Sequence, residues 1–167
     1  GRTAMQIDLL AGESAFLVFD PAHSFAAPLA VANTIEKQLI GPWSIAFDPL
    51  YSDARPFETP ALFDLRSSEN DEIRHFSGKA KYRHVFNWSG DSSSKTDRLL
   101  LDLGQVEVVA SVTLNGVDLG TLWTAPYAID VTDAVRAGKN VLDIEVANLW
   151  VHRLIGDAGL EDSSGFV

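Results

Sequence analysis

Cysteine is absent from all 167 residues. That excludes a disulfide framework, a zinc–thiolate site and thiol catalysis, while leaving the compartment open, because large secreted proteins often carry no disulfides. Positive charge is scarce: 13 Lys and Arg stand against 23 Asp and Glu, a formal charge of −10. A surface of that sign repels a phosphate backbone instead of releasing its counterions, so no nucleic acid and no membrane is expected as a partner. Long apolar runs are missing as well. Nothing approaches the roughly 20 residues of a membrane span, and the start GRTAMQIDLL has neither the basic segment nor the apolar stretch of a secretion signal, so a secreted parent is expected to carry its signal elsewhere. The chain is too short for a (β/α)8 barrel of roughly 250 residues, yet long enough for one domain with its own core. What is present, 46% hydrophobic and 22% charged residues, excludes disorder, collagen and coiled coil.

The apolar residues that remain alternate. Val106, Val108, Ala110, Val112 and Leu114 face one way and Glu107, Val109, Ser111 and Thr113 the other, the period of a strand with one face in a core. Asn115-Gly116 follows and then Val117 to Trp123, so a tight hairpin is expected, since both turn residues tolerate positive φ. Ala80, Tyr82, His84, Phe86 and Trp88 keep the same period, with Lys79, Lys81 and Arg83 on a wet face. Arg98 to Leu103, Tyr127 to Val131 and Val141 to Asn148 read as three further strands, with a single capped turn from Thr132-Asp133 to Gly138 between the last two. Short strands with turn chemistry between them and no long amphipathic helix predict an all-β fold, an antiparallel β-sandwich or jelly roll.

Residues 1–20 read as a terminal hairpin from, or added to, a preceding domain, with Met5, Ile7 and Leu9 alternating before the apolar run Ala15 to Phe19. Residues 21–40 carry two prolines and no period and read as a linker that includes a solvated His23; residues 41–167 form the jelly roll. Pro49 to Glu72 is a second patternless stretch, and Ser92-Ser93-Ser94 reads as a hairpin tip.

Candidate chemistry gathers at the C-terminal end of the last strand, where Asn148, Trp150, His152, Arg153 and Asp157 fall within ten residues. An indole stacks on the C–H face of a sugar while amide, guanidinium and carboxylate bond its hydroxyls. The structural alternative is that Trp150 and Leu154 fill the core, Arg153 pairs with Asp157 and Asn148 closes a turn. Trp123, Pro126 and Tyr127 form a second cluster that suits a sugar platform or a core corner equally well. Trp43 and Trp88 read as core, and His84, on an apolar face, as a hydrogen-bonded core histidine.

Other chemistry finds little support. The four histidines are scattered without metal-ligand spacing, so no metal and no cofactor is expected; structural calcium in loops such as Glu69 to Glu72 or Asp157 to Asp162 is a weaker alternative to simple solvation. No nucleophile elbow, phosphate loop or dinucleotide fingerprint is present. The acids fall mainly on wet faces, where nothing raises a pKa for general-acid work, and no catalytic residue is assigned.

The order Phe76-Ser77-Gly78-x-Ala80-x-Tyr82, Leu101-Asp102-Leu103-Gly104, Leu114-Asn115-Gly116, Asp130-Val131-Thr132, Gly138-x-Asn140 and Asn148-Leu149-Trp150-x-x-Arg153-Leu154-Ile155-Gly156-Asp157 resembles the C-terminal jelly-roll domain of bacterial α-L-rhamnosidases of glycoside hydrolase family 106. More broadly it is similar to the sugar-binding domain of glycoside hydrolase family 2, and hence to galactose-binding-like folds. The resemblance covers roughly residues 38–160, and the ending NLWxxRLIGD is its most specific part, with His152 where the family ending carries Asn. It implies a non-catalytic accessory module whose partner is the catalytic domain of a parent glycoside hydrolase, with carbohydrate as a further partner and a periplasmic or extracellular bacterial location. An autonomous carbohydrate-binding module is the alternative.

Overall fold

The structure, a computed structural model, describes residues 36–50, 52–90 and 98–158. The expected hairpin over 1–20, most of the linker with His23, the Ser92–Ser94 tip and the loop beyond residue 158 lie outside those residues. Strands β1 (Trp43–Phe47), β2 (Phe57–Thr59), β3 (Lys79–Trp88), β4 (Leu100–Asp102), β5 (Val109–Leu114), β6 (Val117–Leu122), β7 (Ala128–Asp130) and β8 (Gly138–Ala147) are joined by short helices α1 (Asp71–Arg74) and α2 (Val151–Ala158). Six strands form one antiparallel sheet in the order β2-β1-β3-β8-β5-β6, and β4 pairs with β7 in a second sheet. This is the β-sandwich that the alternation predicts.

Register explains why one face is dry. Tyr82 and His84 on β3 sit across from Ile144 and Leu142 on β8. Those two sit in turn across from Val112 and Leu114 on β5. Leu101 and Ile129 of the small sheet close over this layer. On the opposite face the residues between them form charge pairs across the same strands, Lys79 Nζ to Glu145 at 2.8 Å and Arg83 Nε to Asp143 at 2.6 Å. His84 is buried, its Nδ1 3.0 Å from the Pro42 carbonyl and its ring stacked 4.5 Å from Trp43. The Asn115-Gly116 turn forms with φ of 55° and 81°, the left-handed pair a two-residue hairpin requires.

Four expectations need correction. The strand read from Val106 begins only at Val109, because the Val108 carbonyl is taken by the Tyr127 hydroxyl at 3.0 Å. The last strand starts earlier than Val141, at Gly138. Pro49 to Glu72 contains β2 and a 3-10 turn (Leu65–Ser67), folded over a second core in which Phe57 and Leu65 pack against Ile45, Phe47, Ile73 and Phe76. That packing depends on tertiary contacts and leaves no periodic trace in the sequence. Glu69 to Glu72 is the entry to α1, with Asn70 Oδ1 accepting from Glu72 N at 2.9 Å and Asp71 paired with Arg74, so its polar groups serve the helix. Among the described residues no group of three or more His, Asp or Glu is placed to hold a metal ion.

Candidate functional site

The aligned register brings the end of β1, the start of β3, the end of β8, the start of β5 and the end of β6 to one end of the large sheet. The chain leaves β8 at this end and, within three residues, enters α2. The expected continuation of the candidate residues along a strand end is therefore a helix instead. Asn148 makes the switch: its side-chain oxygen accepts from Gly78 N at 2.7 Å and its amide donates to the Phe76 carbonyl at 2.8 Å. Ser77, buried to 2% exposure, completes a staple by donating to the Leu149 carbonyl and accepting from Arg153 N, each at 3.0 Å. An isolated eight-residue helix is not stable in water, so this staple is what holds α2 in place. The Phe76-Ser77-Gly78 and Asn148-x-x-x-x-Arg153 parts of the sequence are two halves of one device.

With its start pinned, α2 presents three faces. His152 and Gly156 turn toward the body, where a Cβ at Gly156 would come 2.8 Å from the His75 ring. Trp150, Arg153, Leu154 and Asp157, spaced i, i+3, i+4 and i+7, line an open groove of about 430 Å³ whose other wall is Pro49, Leu50, Ser52 and Asp53. Val151 and Ile155 point away from both and are 51% and 58% exposed. Trp150 and Leu154 do not fill the core, because the staple places the helix outside the sandwich; Trp150 is 57% exposed. Arg153 Nε does reach both oxygens of Asp157, at 3.0 and 3.2 Å, and Asn148 does close the turn.

Trp123 and Tyr127 share this end but not the groove. Trp123 follows the edge strand β6 and is 73% exposed, whereas Tyr127 is half-buried and spends its hydroxyl on the Val108 carbonyl. Beside α2, the Arg66 side chain and then its N–H hold the Asp64 carboxyl below the usual range, with the charges of Arg66 and His152 adding to the effect. Burial, and after it the Asp64 charge, pushes the Tyr82 hydroxyl up to about 12, so it stays protonated. Sequence reasoning missed the Ser77 half of the staple and the wall of the groove formed by Pro49, Leu50, Ser52 and Asp53. The first lies 72 residues from its carbonyl partner in Leu149, and the second belongs to a stretch without pattern.

Comparison with known proteins agrees with this architecture. The chain is 41% identical over 167 residues to a "Putative beta-glucuronidase" of Formosa agariphila, a match covering 95% of this chain and 14% of that protein. The rhamnosidase from Novosphingobium sp. PP1Y superposes with a TM-score of 0.68 at 39% identity, over 78% of this chain and 13% of that one. A β-D-glucuronidase of Dictyoglomus thermophilum, at 19% identity and a TM-score of 0.54, shares the fold over 66% of this chain and 19% of its own. The chain thus corresponds in size to one module of much longer proteins. The family model for the glycosyl hydrolase 2 galactose-binding domain-like group matches residues 63–155, from before the 3-10 turn through the staple and into α2, and the chain belongs to that family.

Proposed function

We propose that this chain is a non-catalytic accessory module that braces the catalytic domain of a parent glycoside hydrolase through its α2 end. The observation that carries the reading is the bare apolar face of a helix fixed in position. Seven of the thirteen large apolar side chains that are exposed among the described residues lie at this one end: Leu50, Trp123 and five in the run from Leu149 to Ile155. Each leaves half or more of its surface in water, and a cluster of that kind marks an interaction surface. The far greater length of the relatives, of which this chain covers 14% and 13%, supports a partner within the same polypeptide. The location that goes with this reading is the periplasm or the exterior of a bacterial cell, as the rhamnosidase resemblance implies.

The test is the double substitution Val151→Lys with Ile155→Lys. In the chain alone both side chains are exposed, so the thermal midpoint moves by less than about 2 °C. In the full-length hydrolase, limited proteolysis releases the module faster and the melting transition splits. Unchanged proteolysis and melting of the full-length variant rejects the brace. A second reading, that the chain itself holds carbohydrate, is favoured by the exposed Trp150 beside the Arg153–Asp157 pair.

A further inference from the structure

We infer that Gly156 and His75 form a second anchor for α2, which makes Gly156 the positioning residue that aims the helix at its partner. The inference rests on the brace reading and adds what orients the bracing face. The staple grips only the first part of the helix and its entry, at Asn148, Leu149 and Arg153. Farther along, the backbone at Gly156 lies directly on the His75 side chain: a Cβ there would stand 2.8 Å from its Cγ, 2.9 Å from its Cβ and 3.3 Å from its Cδ2. Ordinary carbon contacts are about 3.5–4.0 Å, so only glycine lets the helix come this close.

His75 has no room to step aside. The atoms nearest Gly156 are the root of its side chain and move only with the backbone. That backbone is fixed: the His75 N–H donates to the Asp71 carbonyl at 2.9 Å as the cap of α1, and Ile73 and Phe76 on either side are buried in the second core. Residues 75–78 therefore hold both halves of α2, with Phe76, Ser77 and Gly78 at its entry and His75 near its end. Inside a free helix glycine is the weaker choice and alanine firms the structure. Here an alanine has to lift the second half of α2 by about 1 Å to regain ordinary contact. Ile155, the residue before it, moves as well, and an interface packed as densely as a protein interior does not absorb a shift of that size.

The experiment is amide exchange on the 167-residue chain, paired with limited proteolysis of the full-length hydrolase. Gly156→Ala is expected to speed exchange across α2 by at least about tenfold while the β3 and β8 amides keep their protection. His75→Gly removes all three opposing atoms, so adding it to Gly156→Ala restores slow exchange in α2, a non-additive pair. In the full-length hydrolase Gly156→Ala releases the module faster and the double variant does not. Slower exchange in α2 with Gly156→Ala alone follows the ordinary helix preference and overturns the anchor. A double variant that exchanges as fast as the single one, or an equal loss of protection in β3 and β8, overturns it too. Unchanged proteolysis of Gly156→Ala, where Val151→Lys with Ile155→Lys does release the module, overturns the aiming role and leaves the brace. Unchanged proteolysis of both rejects the brace itself, while the exchange data still decide the anchor.

Discussion

Where β5 turns into β6, Asn140 is fully buried and makes four hydrogen bonds, accepting from Asn115 Nδ2 and Arg136 N and donating to the Arg136 and Gly138 carbonyls. Asn115 in turn donates to the Ala134 carbonyl and accepts from Val141 N. At the other end of the same strands, where β8 runs into α2, the polar groups of the turn are also satisfied by Ser77 and Asn148, but the apolar side chains they position are left in water. The first end uses its polar network to seal the sandwich over its own core. The second uses one to hold out a helix that buries none of its residues. A polar network that closes a core serves stability; one that fixes an exposed apolar face serves something outside the domain.

The sharpest way to break this contrast is to cut each network. Asn140→Ala removes four hydrogen bonds made by a fully buried side chain, one of the two made by the Asn115 amide among them, and about 3 kcal/mol or more of global stability is lost, read from urea unfolding. Ser77→Ala removes two hydrogen bonds from the staple and is expected to cost about 1 kcal/mol. Its signature is local: amide exchange speeds up across α2 while the β3 and β8 amides keep their protection. Equal loss of protection in the sheet rejects the separation of the two ends.

The smallest effect is a pH dependence at the sealed end. The Asp130 carboxyl is held below its usual range by the Thr132 hydroxyl, then by Thr132 N–H, with Arg98 contributing further. A depressed folded-state pKa means that its stabilisation is present above the ordinary carboxylate value near 3.8 and lost as pH falls through the lowered value. Asp130→Asn is therefore less stable than the parent at neutral pH, with a difference that shrinks on acidification. A difference that does not change with pH rejects the assignment.

Much of the fold was legible because it rests on local rules. The alternation in β3 and β5, the Asn115-Gly116 turn and the wet face of Lys79, Lys81 and Arg83 each show in fewer than ten consecutive residues. The second core did not, since Ile45, Phe57, Ile73 and Phe76 meet only after the chain has folded across itself. The candidate site divided in the same way. Arg153 and Asp157 were readable as a pair at i and i+4, but the helical conformation that makes this spacing meaningful depends on Ser77. Trp150 could be read as core or as a sugar-facing surface, and only the direction imposed by the staple decides that it is exposed.

β8 occupies an inner position of the large sheet, bonded to β3 through ten residue pairs and to β5 through six, and it continues almost directly into α2. Backbone hydrogen bonds in antiparallel ladders lie perpendicular to the strands. A pull on α2 along the axis of β8 therefore loads those bonds in shear, many at a time, rather than opening them one after another like a zipper. Whatever is joined to this helix is tethered through the mechanically stiffest path the sandwich has.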